Sequence, residues 1–166
     1  MKNNLAIIIL AAGKGTRMNS TIPKVLHRIN GKTMIEHVLD KTNSLKPKKI
    51  IAVIGYEANQ VKDFLFNYKI EYVLQKQQLG TGHAVMQCDE ILKNFNGDTL
   101  ILSGDVPLIT TNTLINLYKN HQDYNSDATI LSATIDEPCG YGRIIKSNKN
   151  FISIVEEKDA TEKEKK

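Results

Sequence analysis

The chain has 166 residues, a formal net charge of +4 and a pI near 9.0, with 41% hydrophobic and 24% charged residues. That supplies enough apolar material for one domain with a real core and excludes a disordered or low-complexity chain. Part of the Lys excess sits in solvated stretches, Lys46–Lys49 and the tail, and no Lys/Arg stripe is interleaved with aromatics, so nucleic-acid binding is not expected.

In chain order, Leu5–Leu10 is a continuous apolar run, as expected for a central strand covered on both faces. Lys2 followed by Leu5–Ala12 faintly resembles a signal peptide, but Gly13, Lys14, Gly15 and Arg17 follow at once. A buried strand running into a phosphate loop explains all of these together. No segment approaches transmembrane length, and a cytoplasmic protein is expected. Thr33–Asn43 is expected as a helix, with Met34, Ile35, Val38 and Leu39 on one stripe. Pro47 breaks the chain, and Lys49–Ile54 reads as a second buried strand ending at Gly55. Glu57–Phe66 reads as a helix with Val61, Phe64 and Leu65 inward, and Ile70–Leu74 as a third strand. Thr81–Leu92 is a helix candidate opened by a glycine-rich turn, and Asn96-Gly97-Asp98 is a turn.

Thr99–Leu102 is expected as a fourth strand running straight into Ser103-Gly104-Asp105. Thr111–Tyr124 carries Leu114, Leu117 and Tyr118 at helical spacing, and Ala128–Thr134, Gly142–Ile145 and Phe151–Val155 read as later strands. Strands alternating with helices imply an α/β fold, a mostly parallel sheet with helices on both faces. Right-handed crossovers place the strand-to-helix loops on one edge, and ligands of such sheets bind at the carboxyl ends of the strands. Residues 1–155 are expected to form one nucleotide-binding domain. Residues 156–166, almost all charged or small, are expected to be a frayed or disordered tail. Cys88 and Cys139 fit no CxxC pattern and read as ordinary buried or half-buried thiols in a reducing compartment.

Five stretches carry chemistry. The first is Leu10-Ala11-Ala12-Gly13-Lys14-Gly15-Thr16-Arg17-Met18. Its glycines free backbone N–H groups to face an anion, and Lys14 and Arg17 add two cations. Met18 stands where a dinucleotide fingerprint or a Walker loop needs glycine, so both common alternatives fail by spacing. The second is Pro23-Lys24-Val25-Leu26, in which Pro23 stiffens the chain and positions a cation for a phosphate. In the third, Gln75 precedes Leu79-Gly80-Thr81-Gly82-His83; an amide donor and acceptor suits the edge of a base, and His83 reads as a helix-start histidine bonded locally. The fourth is Ser103-Gly104-Asp105-Val106-Pro107-Leu108. An Asp at the end of a buried strand is placed to hold a metal ion such as Mg²⁺, and Gly104 is expected to leave room for the ligand. No second carboxylate stands two residues away, so this is not a DxD motif. The fifth is Gly140-Tyr141-Gly142-Arg143-Ile144 with Glu156-Glu157-Lys158-Asp159-Ala160, an acidic cluster that contacts sugar hydroxyls or faces solvent.

Together these stretches resemble the uridylyltransferase domain of the bacterial bifunctional N-acetylglucosamine-1-phosphate uridylyltransferase/glucosamine-1-phosphate acetyltransferases. The resemblance runs from about Leu5 to Ala160. It implies a Rossmann-like nucleotidyltransferase (GT-A-like) fold, C-terminally incomplete here, that makes UDP-N-acetylglucosamine and pyrophosphate from UTP and N-acetylglucosamine 1-phosphate with Mg²⁺. It further implies that Leu10, Ala11, Ala12, Gly13, Lys24, Gln75, Gly80 and Thr81 contact the uridine nucleotide, that Ser103 and Gly104 line the same pocket, and that Asp105 binds Mg²⁺. Gly142 and Glu156 then face the amino sugar, and Lys14, Arg17 and Lys24 act on the transferred phosphoryl region. The family's β-helical acetyltransferase domain has no counterpart in these residues. Full-length members are implied to be homotrimers, and this chain is expected to be monomeric, without membrane insertion.

Overall fold

The computed structural model describes residues 4–147 and 150–165, apart from the side chains of Arg17 and Asn150. Their contacts cluster into two units, Met1–Thr129 and Ile130–Lys166.

The first unit is built on a strand, β1 (Leu5–Ala11), whose side chains are buried on both faces. It pairs in parallel with β4 (Lys49–Ile54) on one side and β6 (Asp98–Ser103) on the other, and β4 pairs in parallel with β5 (Glu71–Leu74). The order β5-β4-β1-β6 means that the chain steps outward twice from β1 and then returns to its other side. That reversal opens a crevice at the carboxyl ends of β1 and β6.

Alternation along β1 divides the core. Leu5, Ile7, Ile9 and Ala11 pack with Ile35, Val38 and Leu39 of helix α1 (Met34–Asn43) and Val61 of α2 (Ala58–Phe64). Leu114 of α5 (Thr111–Asp123) joins the same cluster. Ile8 and Ala12 pack on the opposite face with Ile51, Val53, Cys88 and Ala84 of α3 (Thr81–Met86). Helices therefore cover both faces, as the unbroken apolar run demands. The apolar surroundings push the buried Cys88 thiol up to about 11, whereas Cys139 is exposed rather than half-buried. In the native state, iodoacetamide is expected to label Cys139 and spare Cys88; equal labelling of both by mass spectrometry would contradict this burial.

The predicted elements shift in informative ways. The predicted helix over 81–92 is two pieces, α3 and α4 (Asp89–Leu92). Gln87 and Cys88 bond back three residues, to Ala84 and Val85, and tighten the turn between them. A small hairpin, β2 (Arg28–Ile29) with β3 (Lys32–Thr33), was not anticipated, although Asn30-Gly31 announces it. Both turn residues have positive φ, 49° and 84°, as a two-residue primed turn requires. The predicted strand over 128–134 is absent: Ile130 and Leu131 are about half exposed, and no described strand pairs with this stretch. Alternating apolar residues do not make a strand without a ladder to join.

Thr33 is the N-cap of α1 rather than part of it. Its Oγ1 accepts from the Glu36 N–H at 3.3 Å, while the Glu36 carboxylate accepts from the Thr33 N–H at 2.7 Å. Burial acts to raise the Glu36 pKa, but the Thr33 and Tyr68 donors together hold it below the ordinary carboxylate value. A depressed folded-state pKa stabilises above the unfolded value and is lost as pH falls through the folded one. Thr33→Ala is expected to cost about 1 kcal/mol at neutral pH. In urea unfolding, the gap between variant and parent should shrink as the pH drops below about 4. A gap independent of pH would show that the cap carries no charge-linked stability.

The second unit contains an antiparallel hairpin, β7 (Arg143–Ser147) with β8 (Asn150–Val155), whose register shifts between Ile145 and Lys146. Arg143 donates to the carbonyls of Pro138, at 3.0 Å, and Tyr141, and the Gly140 N–H donates to Glu157. Residues 156–165 form successive turns, one of them closed by Thr161 and Glu164.

Candidate functional site

The ends of β1 and β6, the turn before α1 and the segment from β5 to α3 surround a cavity of about 290 Å³. Leu10, Ala11, Ala12, Gly13, Lys24, Gln75, Gly80, Thr81, Ser103 and Asp105 all line it. Backbone bonds pin these segments together: the Gly104 N–H donates to the Leu10 carbonyl at 2.9 Å, Tyr56 to Ala12 at 3.0 Å, and Gln75 to Ile54 at 2.8 Å.

A side chain at Gly13 would meet no atom within 4 Å, so the loop leaves open space there. Gly15 differs. Its φ is +64°, and a Cβ would come within 2.8 Å of the Lys24 Cβ. The loop thus folds directly onto the turn that carries Lys24. Gly15→Ala is expected to lose about 1–3 kcal/mol of stability from backbone strain, more than Gly13→Ala does, because only Gly15 combines positive φ with a close neighbour. Equal midpoints for the two variants in urea would refute this distinction.

Lys24 opens a 3₁₀ turn, Lys24–Leu26, capped by Pro23. Val25 is buried and anchors the turn. Lys24 Nζ forms an ion pair with Asp105 Oδ2, the two side chains being 34% and 29% exposed. Gly104, next to Asp105 in the chain, sits in a tight space. Its missing side chain corresponds to space held by the Leu10 carbonyl (3.0 Å) and Val25 (3.1 Å), and it is not among the lining residues. The glycine thus lets the turn after β6 pack closely against β1 and Val25.

Lys14 does not line the cavity: its Nζ stands over the Tyr56 ring, 5.5 Å from the centroid. The Arg17 side chain lies outside the described residues. Gly142 and Glu156 belong to the second unit, where a Cβ on Gly142 would lie 3.9 Å from Glu156 Oε2 and 3.4 Å from the Val155 carbonyl. His83 is held locally, as expected, between Gln75 (3.0 Å) and Gln87 (3.2 Å).

Val25, Gln78 and Ala84 also line the cavity and were not anticipated. Gln78 donates to the Gln75 carbonyl at 3.3 Å. The polar run Gln75-Lys76-Gln77-Gln78 before Gly80 carried its signal, but alternation within a loop does not reveal which amide turns inward.

A larger hollow, about 600 Å³, lies at the amino-terminal ends of β4 and β5 among Lys46, Lys48, Lys49, Lys69 and Glu71. Lys49 is paired with Glu71 at 3.0 Å, and the other three lysines are exposed. Size does not decide between the two cavities: only the smaller occupies the strand-end crevice at the reversal of strand order.

Asp105 offers a hard oxygen donor at the cavity wall. Among the described residues no cluster of three or more His, Cys, Asp or Glu could hold a metal. A single carboxylate fits an ion such as Mg²⁺, which keeps waters and takes its other ligands from substrate phosphates. No helix of the described residues is long and apolar enough to cross a membrane.

Residues 7–151 match the MobA-like NTP transferase domain family. The chain is 50% identical over 165 residues to a bifunctional protein GlmU of Enterococcus faecalis, covering 99% of this chain and 36% of that protein. It is 48% identical over 164 residues to a bifunctional protein GlmU of Prochlorococcus marinus, covering 98% and 37% respectively. The chain thus spans about a third of the length of these curated relatives. These identities bear out the resemblance read from the motifs. A UDP-glucose pyrophosphorylase solved with UDP-glucose superposes with a TM-score of 0.70 at 20% identity, over 91% of this chain and 68% of that one, and shows the shared fold.

Proposed function

From the premise that this chain belongs to the MobA-like NTP transferase domain family, we propose that it transfers UMP from UTP to N-acetylglucosamine 1-phosphate. The observation that carries this reading is the strand-end cavity, which gathers the nucleotide residues of the resemblance around one cation and one carboxylate. In the reaction a phosphate oxygen of the sugar phosphate forms a bond to the α-phosphorus of UTP. The bond to the β-phosphate oxygen breaks, and pyrophosphate leaves with the electron pair. Both reactants are anions, so the site's work is positioning and charge stabilisation, with no covalent nucleophile on the protein.

Gly13 and its neighbours leave the β1 loop open to the phosphates, Gln75 and Gly80 meet the base, and Lys24 faces the phosphoryl groups from its rigid turn. Asp105 would hold Mg²⁺, which when bound polarises phosphoryl oxygens and offsets the charge of the leaving pyrophosphate. Lys14 and Arg17, from the same loop, are assigned to the phosphoryl region. Lys14 reaches it by rotating off Tyr56, a contact worth about 0.5–1 kcal/mol at an exposed site. Gly142 and Glu156 are assigned to the amino sugar.

The decisive measurement is calorimetry with UTP, CTP and GTP in the presence of Mg²⁺, followed by a pyrophosphate-release assay with and without N-acetylglucosamine 1-phosphate. UTP is expected to bind in preference, and pyrophosphate to appear only with the sugar phosphate. Preference for CTP or GTP, or no binding of any of the three, would reject the assignment.

A further inference from the structure

We propose that His83 is a positioning residue that fixes which face of the Gln75 amide meets the base, and that the Gln75–His83–Gln87 relay thereby selects uracil over cytosine. This rests on the reading of the strand-end cavity as a nucleotide site.

Gln75 is almost fully buried, and its Nε2 lies 3.1 Å from the Gly80 carbonyl and 3.0 Å from His83 Nδ1. A carbonyl oxygen only accepts, so the amide nitrogen must face Gly80. The same nitrogen then makes His83 Nδ1 an acceptor, which places the imidazole proton on Nε2. On the other side, Gln87 Nε2 lies 3.2 Å from His83 Nε2 and 3.1 Å from the His83 carbonyl. A neutral imidazole cannot accept at both nitrogens. One of the two glutamine amides has to present its oxygen to the ring instead.

Burial decides which. Turning Gln75 would leave its buried oxygen against the Gly80 carbonyl, two acceptors facing each other without a proton. Turning Gln87 also gives up a bond, to the His83 carbonyl, and brings Oε1 near that oxygen, but this side chain is only half-buried and can ease away with water at hand, so the cost is smaller than for the buried Gln75. The relay therefore settles with Gln87 Oε1 accepting from His83 Nε2–H, and His83 Nδ1 accepting from Gln75.

With its nitrogen engaged twice, Gln75 keeps Oε1 for a ligand: both described bonds of its side chain run through Nε2. An acceptor at this point matches the N3–H of uracil. It opposes the N3 lone pair of cytosine. Without His83, the amide is held by Gly80 alone and can turn.

Two measurements test this. Long-range ¹H–¹⁵N correlation spectra should show His83 as the Nε2–H tautomer, and an Nδ1–H tautomer would overturn the proposal whatever the ligand. Calorimetry with UTP and CTP in Mg²⁺ should give a UTP preference that falls roughly tenfold in His83→Leu, the effect of one misdirected hydrogen bond. His83→Asn restores an acceptor near the Nδ1 position and should keep the preference within about twofold. An unchanged ratio in His83→Leu would overturn the positioning role. Equal binding of UTP and CTP by the parent protein would do the same while leaving the nucleotide site intact, and binding of neither would remove both readings.

Discussion

Asp105→Asn is expected to lower UTP affinity about 30- to 100-fold in the presence of Mg²⁺, and to leave it unchanged or improved when EDTA removes the metal. The crossover follows from the charges. Asp105 is paired with Lys24 at the cavity wall, both partly exposed. At an effective dielectric near 20, a unit-charge pair at about 4 Å is worth at most about 4 kcal/mol, and exposure reduces this. On the proposed reading, the carboxylate would supply the metal's protein ligand, and nucleotide binding would depend on that attachment. Without the metal, the carboxylate repels the triphosphate and ties up the cation that would attract it. The amide removes both effects. Folding stability should change by about 1 kcal/mol or less, because an ion pair that water still reaches contributes little. Calorimetry of both proteins with Mg²⁺ and with EDTA, alongside urea unfolding, provides the four comparisons. If the parent and the variant bind UTP equally in Mg²⁺, Asp105 is not the metal's anchor.

The second large effect concerns the core beneath the site. Ile8→Ala is expected to cost about 2–5 kcal/mol, the usual range for a fully buried isoleucine truncated in a packed interior. In a domain of this size, that corresponds to a fall of about 10 °C in Tm. Ile8 shares its cluster with Ala12 and Ala84, two residues that also line the cavity. Its loss therefore loosens α3 against β1 and should weaken UTP binding as well. Leu114→Ala provides the contrast. It is equally buried on the other face; its cluster also holds the lining residues Ala11 and Val25, but Leu114 itself sits on α5, which contributes no residue to the cavity wall, so it should lose similar stability while keeping UTP affinity within about twofold. If both variants lose affinity alike, the two faces of the sheet do not act separately on the site.

Much of this molecule is legible in its residues. The run Leu5–Leu10 announces a strand buried on both faces because no alternation offers water a side, and it is the centre of the sheet. The Asn30-Gly31 hairpin was missed because its strands are two residues long, too short to show a period. The absent strand over 128–134 shows the opposite error: local preference for β structure is satisfied only when another strand supplies hydrogen-bond partners.

Taken alone, the chain of residues determined the strand–helix alternation and the glycine-freed loop after β1, since each rests on local backbone freedom or on hydrophobic period; most of the residues around the strand-end cavity were named only through the family resemblance. Only the tertiary structure decided that Lys24 meets Asp105, 81 positions away, that Gly104 sits in a tight space, that Lys14 rests on Tyr56, and that the Gln75 amide lies 3.0 Å from His83 Nδ1. These depend on which side chains are brought within a few ångströms by the folding of distant segments. Charge attraction and hydrogen bonding act over such distances, so no pattern along the chain encodes them.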